Sequence, residues 1–474
     1  MKSDEKDTIA AISTPVGFGG IGIVRLSGEE SLDIARKIFR KALEKGGMPK
    51  KAAEEPDTRD FVPRRLYRGY IVEPERQTVL DEVLMAYMPS PNSYTCEDVI
   101  EIQAHGGTAA LKAILELVIG CGARLAEAGE FTKRAYLNGR IDLAQAEATI
   151  DVIQAKTDAS LKIANRNLEG NVGNSAREIQ NSLLDLKAIL EAHIDFPEDV
   201  DEKLDLKAIK EQIFRNILKP IGEILDGYTH GQLLREGVRV VILGKTNVGK
   251  SSLLNQFLKR DRAIVTSIPG TTRDTIEESL DLYGLPLVIV DTAGWRKTND
   301  PVEEIGVERS RASAETADLI LFMVDGAAGV DTVDETLVSK IERKEKFLII
   351  NKSDMLNGQN SVKIPEHWNF KEMQYTSAKY GHGIDELKKR LYEKLMGNGC
   401  TSEMEVVPNL RQKNLFSRAQ QAIETATAGI EEGAPPELVA IDIQEAMGAL
   451  AEITGEKVQP DILDEIFSRF CIGK

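Results

Sequence analysis

The stretch Gly244-Lys245-Thr246-Asn247-Val248-Gly249-Lys250-Ser251 has the residue types and spacing of a phosphate-binding loop. Its glycines let backbone N–H groups turn toward a phosphate, Lys250 offers a point charge to the β and γ oxygens of a nucleotide, and the Ser251 hydroxyl can ligate Mg²⁺. Ser252 opens a helix whose N-terminal dipole points at the same phosphates. Three further patches follow in the order such a site needs. In Gly270-Thr271-Thr272-Arg273-Asp274, Thr272 can close the Mg²⁺ shell when a γ-phosphate is present. In Asp291-Thr292-Ala293-Gly294, Asp291 suits an outer contact to Mg²⁺ and Gly294 an N–H to the γ-phosphate. In Asn351-Lys352-Ser353-Asp354, the Asp354 carboxylate matches the ring N–H and exocyclic amine of guanine, whereas adenine would leave it unpaired and repelled. Ser377-Ala378-Lys379 fits the remaining contact on the base side. Each patch alone is weak, because Asn, Lys and Asp crowd loops everywhere; the four together imply a site for GTP.

These patches need strands to present them. Residues 238–243 read as a buried strand leading into the loop, residues 287–290 precede Asp291, and residues 347–350 precede Asn351. Helical segments alternate with them, so a doubly wound parallel sheet is expected, with ligands at the strand ends. Before this region, residues 8–27 suggest two short strands around a glycine-rich turn, and residues 31–43 a helix. Strands are expected over 66–72 and 82–88, and a helix over 108–119, giving an α+β domain at 1–139. From residue 140 the texture becomes long and Ala/Leu-rich, with one apolar face through Ile179, Leu183, Leu186 and Leu190 and another through Ile209, Ile213, Ile217 and Ile221. Similar stripes return only after residue 399. The expectation is a helical domain in two parts, 140–232 and 399–474, packed together around an inserted domain at 233–398.

With 474 residues and 42% hydrophobic content, the chain has material for about three domains. A net charge of −16 argues against a general nucleic-acid-binding field. No run approaches the roughly 18 apolar residues of a membrane span, and a polar start argues against a secretory signal, so a cytoplasmic protein is expected. Cys96, Cys121, Cys400 and Cys471 are scattered, with no zinc or disulfide pattern.

The inserted domain resembles translation-factor-class small GTPases, and the whole chain resembles the MnmE (TrmE) family of tRNA modification GTPases. The resemblance is carried by Gly19-Gly20-Ile21-Gly22-Ile23-Val24-Arg25, by residues 94–107, by Gly129-Glu130-Phe131-Thr132, by residues 137–148, by the nucleotide patches, and by Phe470-Cys471-Ile472-Gly473-Lys474. It implies hydrolysis without the glutamine that orients water in Ras-like proteins, since position 295 is Trp. The resemblance implies instead a K⁺ ion held by Asn247, Thr266, Ile268 and Thr271, and a water-positioning acid at Glu303. Without it, Glu303 reads as a solvated loop charge. The resemblance also implies a homodimer, a flavin- and NADH-dependent partner protein (MnmG, or GidA), and tRNA as substrate. The one-carbon donor it implies is 5,10-methylenetetrahydrofolate, or its 5-formyl analogue, bound by Arg25, Glu101, Arg140 and Lys474. On the residues alone, Arg25 with Glu101 reads as a structural ion pair and Arg140 as a helix-start residue. Cys471 reads either as a nucleophile for C6 of a pyrimidine or as a small buried hydrophobe. Two other classes compete: an RNA-binding ribosome-assembly GTPase, which should carry a basic RNA-binding module, and a dynamin-like mechanical GTPase, which should carry a lipid-facing basic segment.

Overall fold

The computed structural model describes residues 7–15, 17–42, 61–195, 206–261, 278–290, 315–356, 362–397 and 406–474. They form two compact units, one from the described residues of 1–150 and 448–474, the other from those between 151 and 447.

The first unit is built on a seven-stranded sheet. Its strands are β1 (Ile9–Ile12), β2 (Gly19–Ser27), β3 (Phe39–Lys41), β4 (Leu66–Glu73), β5 (Thr78–Met88), β6 (Val99–Gly106) and β7 (Arg124–Leu125), in the order β3-β4-β5-β6-β2-β1-β7. All neighbours are antiparallel except β1 and β7. Side chains alternate across the pleat. Val24, Leu26, Ile100 and Ile102 therefore pack under the helices Ser31–Ile38 and Thr108–Gly120, through Ile34, Ile38, Leu111, Ile114 and Val118. Arg25 and Glu101 stand directly opposite one another in the β2–β6 register, between these inward-facing residues. The first helix stops at Ile38 rather than near residue 43. Phe39 turns to extended backbone and pairs with Ile71 on β4, so its fully buried ring joins the sheet.

A charge network ties the start of the described chain to the helix Glu130–Leu137. The guanidinium of Arg134, 4% exposed as a residue, donates to Asp7 at 2.6 Å, to Glu130 at 3.0 Å and to Glu97 at 3.1 Å. Arg124 donates to the same Asp7 and Glu130 at 2.6 and 2.7 Å. Burial pushes the Asp7 and Glu130 carboxyls up, but the hydrogen bonds from Arg124 and Arg134 outweigh it and hold both below the usual carboxylate range. The last residues of the chain belong to this unit as well. Phe467 and Phe470 pack with Leu143 and Ala146, and Ile472 forms an antiparallel bridge with Ala128.

The second unit holds a six-stranded sheet of β8 (Val238–Leu243), β9 (Glu278–Leu282), β10 (Leu285–Ile289), β11 (Leu319–Asp325), β12 (Lys346–Asn351) and β13 (Met373–Tyr375), ordered β13-β12-β11-β8-β10-β9. Only the β9–β10 hairpin is antiparallel. One face packs Leu253, Phe257, Leu387 and Leu391 of the helices Lys250–Asp261 and Ile384–Met396; the other packs Val338, Ile341 and Trp368. Two cores on opposite faces make the sheet doubly wound, and β8 lies where the strand order reverses direction.

The remaining helices of this unit come from both sides of the sheet in sequence. Asn167 Nδ2 donates to the Val407 carbonyl at 2.9 Å, and Lys210 pairs with Glu431 at 2.7 Å, so helical segments before and after the GTP-site region do pack on each other. The helix Leu206–Ile213 runs through a π-helical turn, Phe214–Leu218, into Lys219–Glu236. Ile209, Ile213, Ile217 and Ile221 recur every four residues, which drifts by about 40° per step on a 3.6-residue turn. The wider turn takes up that drift, and all four stay buried.

The depressed Asp7 and Glu130 values set a pH dependence. Their contribution is complete above the unfolded carboxylate values of about 4 and is lost as pH falls through the lower folded values. Arg134→Met should destabilise the chain by about 1–3 kcal/mol at neutral pH, because the buried Glu130 and the part-exposed Asp7 and Glu97 lose a partner while Arg124 still meets the first two. The deficit should shrink below pH about 4 as those acids take up protons. Urea midpoints of both proteins measured from pH 7 to pH 3 check this.

Candidate nucleotide and pterin sites

The phosphate-binding loop leaves the end of β8 and returns as the helix Lys250–Asp261. Its backbone takes conformations that restrict sequence. Gly244 has φ +150° and a Cβ there would lie 2.3 Å from the Met323 carbonyl oxygen; at Gly249, φ +104°, it would lie 2.2 Å from Asn351 Nδ2. Asn247 is left-handed at φ 62°, a region asparagine tolerates better than most residues. The Lys250 ammonium donates to the Gly244 and Lys245 carbonyls at 2.8 and 2.7 Å, and burial pushes its pKa down. A half-buried ammonium ringed by main-chain carbonyls is ready to meet an anion. Val248 is buried, whereas Asn247, Ser251 and Ser252 are exposed.

Asn351 was expected on the base side. Its side chain sits between three loops, with Nδ2 donating to the Val248 carbonyl at 2.7 Å and Oδ1 accepting from the Ala378 N–H at 2.9 Å. Thr376 adds a hydroxyl donor to Oδ1 at 3.3 Å. Lys352 is left-handed at φ 62°, and its ammonium bonds Asp325 at the end of β11. Asp354 is exposed and accepts from the Ser377 hydroxyl. Gln256, on the helix after the phosphate loop, donates to the Ala378 carbonyl at 2.9 Å. The Lys379 ammonium lies 5.0 Å from the centre of the Tyr380 ring. Thus Asn247 to Ser252, Asn351 to Asp354 and Ser377 to Lys379 converge at the carboxyl ends of the strands. Thr266, Ile268, Thr271, Thr272, Asp291, Thr292, Ala293, Gly294 and Glu303 lie outside the described residues.

Sequence reasoning missed Lys245, which bridges Asp331 and Asp334 at 2.8 Å each, and Asp325, which holds Lys352. Only the Asp331/Asp334 pair left a trace in the sequence, as a capping box three residues apart at a helix start.

The first unit carries a second constellation. Arg25 donates through Nε and Nη2 to one Glu101 oxygen at 3.0 and 2.8 Å. Its guanidinium lies 5.8 Å from the centre of the Tyr94 ring and 5.7 Å from that of Phe131. Arg140 sits over Tyr94 at 4.7 Å and donates to the Tyr94 carbonyl at 3.0 Å. It lines an open cleft of about 470 Å³ together with Arg64, Met88, Pro91, Tyr94 and Cys96. Arg25, Glu101 and Arg140 are therefore gathered around one aromatic ring. At the chain end, Gly473 packs against the Ile12 carbonyl, on the strand beside Arg25. Lys474 follows it directly, although no side-chain contact joins Lys474 to the other three. Cys471 is exposed, so it is not a buried hydrophobe: its tail pairs along the Ala128–Gly129 backbone and leaves the thiol outward.

A doubly wound sheet with this loop and base-side convergence defines a P-loop GTPase, here joined to a separate α+β unit and a helical block. Residues 143–471 match the model of the MnmE helical domain, and residues 8–140 match that of the GTP-binding protein TrmE N-terminus. The tRNA modification GTPase MnmE of Carboxydothermus hydrogenoformans is 45% identical over 475 residues, covering 99% of this chain and all of that protein. The proteins of the same name from Acetivibrio thermocellus and Alkaliphilus oremlandii are 43% and 44% identical, each over 99% of this chain and 99% or more of their own length. The chain belongs to the MnmE (TrmE) family of tRNA modification GTPases. Among the described residues no helix is long and apolar enough to cross a membrane.

Because Asn351 holds two loops with one amide, its removal should loosen both ends of the nucleotide site. Asn351→Ala should weaken GDP binding by about 10–100-fold, the cost of stranding a buried carbonyl and N–H. Titration with a fluorescent GDP analogue checks this.

Proposed function

We propose that the protein is a K⁺-dependent GTPase which, with a flavin- and NADH-dependent partner of the MnmG (GidA) type, adds an aminomethyl or carboxymethylaminomethyl group to C5 of the wobble uridine of tRNA. It acts in the cytoplasm as a homodimer. The main support is that its likeness to proteins named tRNA modification GTPases runs through both units, at 43–45% identity over 99% of the chain.

In this reading Asp354 accepts from the guanine edge, with Ser377, Ala378 and Lys379 closing the base side and Asn351 and Lys352 supporting it. The Lys250 ammonium exchanges the Gly244 and Lys245 carbonyls for phosphate oxygens, and backbone groups from Asn247 to Ser252 wrap the phosphates. Thr271, Thr272, Asp291, Thr292, Ala293 and Gly294 complete the γ-phosphate side. Ser251 and Thr272 would hold Mg²⁺, and Asn247, Thr266, Ile268 and Thr271 would hold K⁺; the exposed Ser251 and Asn247 at the loop fit those roles. Both ions would supply positive charge where negative charge develops in hydrolysis. Glu303 orients the attacking water.

The cluster around Tyr94 fits a pterin with an anionic tail. Glu101 suits the donor edge of the ring, while Arg25, Arg140 and Lys474 suit the carboxylates. 5,10-Methylenetetrahydrofolate supplies the one-carbon unit there, with 5-formyltetrahydrofolate as its stable analogue. Cys471, exposed beside this unit's sheet, is the candidate nucleophile toward C6 of the uridine.

Glu303→Ala should bind GTP with the affinity of the parent and hydrolyse it at least about tenfold more slowly; equal single-turnover rates would remove Glu303 from the mechanism. Exchanging KCl for NaCl should lower steady-state turnover by a similar factor of about ten or more. Mass analysis of wobble uridine in tRNA from cells lacking the protein should show the C5 group missing. Restoration of the C5 group by the Cys471→Ser variant as fully as by the parent would dismiss the thiol as nucleophile.

A further inference from the structure

Among the described residues, three side chains restrain the phosphate loop. Asn351 holds Val248, and Lys250 holds the carbonyls of Gly244 and Lys245. The third is Lys245 itself, whose ammonium reaches out of the loop to Asp331 and Asp334, 2.8 Å from each. The second restraint cannot persist unchanged once a phosphate takes the Lys250 ammonium. The third involves none of the groups that would meet phosphate.

Both carboxylates are built into the start of the helix Thr332–Ser339. Asp331 Oδ1 caps it, accepting from the Val333 and Asp334 N–H groups at 2.9 and 3.2 Å, which leaves Oδ2 for Lys245. Asp334 Oδ2 accepts both the Asp331 N–H, at 3.2 Å, and Lys245. Asp334 is fully buried, its Oδ1 has no partner among the described residues, and Lys245 is the cation that meets its other oxygen there. Removing Lys245 would leave that charge uncompensated. The bond is therefore held firmly from the acidic side.

The same short segment also holds the base end. Asp325 Oδ1 accepts from the Ala327 and Ala328 N–H groups, and Oδ2 accepts from the Lys352 ammonium. Residues 325–334 thus carry, within ten positions, the anchor of a phosphate-loop lysine and the anchor of the base-motif lysine.

We propose that residues 325–334 form a positioning strap for the nucleotide site, and that Lys245, acting through Asp331 and Asp334, is the positioning residue that keeps the phosphate loop closed and slows nucleotide release. This rests on the assignment of the guanine nucleotide to the loop described above. The strap transmits no chemistry. It fixes two loops, from the ends of β8 and β12, to the strand between them.

The test is stopped-flow release of a fluorescent GDP analogue from the full-length protein with Mg²⁺, alongside thermal melts. Lys245→Met should speed release by about 5–20-fold, and Lys245→Arg, which keeps the charge, should stay within about twofold of the parent. Asp331→Asn retains a good capping residue but loses the charge, so it should speed release by about 3–10-fold with little change in melting temperature. Combined with Lys245→Met it should add almost nothing, since the Lys245–Asp331 bond it removes is already lost in that variant. Asp325→Asn, acting at the base end, should multiply with Lys245→Met instead. Release from Lys245→Met within twofold of the parent, failure of arginine to rescue, or full multiplication of Lys245→Met with Asp331→Asn would each overturn the strap. A parent protein that binds no GDP would overturn the nucleotide assignment, and the strap with it. Melting temperatures that fall while release rates hold would reduce Lys245 to a purely structural ion pair.

Discussion

One amide holds the nucleotide site together. Asn351 is buried at the end of β12, where a side chain that both donates and accepts can satisfy a carbonyl from the phosphate loop and an N–H from the loop after β13. A carboxylate there would face the Val248 carbonyl with no proton to offer, and an apolar residue would strand both groups in a place water does not reach. Gly249 is fixed by the same contact, because the amide nitrogen occupies the space a Cβ would need. The doubly wound sheet brings these three loops to the same end of its strands; the asparagine sets their spacing.

Around that amide, and in the first unit as well, several cations are held by carboxylates. The chain carries a net charge of −16, and these cations near the functional clusters each meet one or more acids. Arg134 serves three acids in the first unit, Lys245 serves two beside the phosphate loop, and Arg25 grips Glu101 beneath Tyr94. Sharing raises the cost of moving any single member, which suits residues that must keep a geometry. Lys250 differs. Its ammonium donates to two main-chain carbonyls, and burial already weakens its hold on the proton, so it is the cation best placed to change partners.

Much of this was legible in the sequence. The strand–loop–helix around Lys250, the strands before Asn351 and Ser377, and the apolar stripes of the helices all follow from periodicity and turn chemistry, and they appear where those patterns put them. The role of Asn351 as a bolt was not legible, because the motif that suggests base contact says nothing about which way the amide points. Lys245 and Asp325 were missed for a related reason. Their partners lie 86 and 27 residues away, and an isolated lysine or aspartate in a loop has no period to mark it. The helix ending at Ile38 misled because Phe39 fits the helical stripe as well as the strand, and only pairing with β4 decides between them.

The π-helical turn at Phe214–Leu218 has a consequence for tolerance to length change. Such a turn amounts to one residue more than a regular ladder would hold. Deleting a single position there would let hydrogen bonding become uniform along the rod, and because five residues of the wider turn advance about as far around the axis as four α-helical ones, everything downstream would stay close to its present face. Ile221 and Ile224 would then keep the neighbours that now enclose them. One residue can be lost at the wide turn without turning the apolar seam away from its partners.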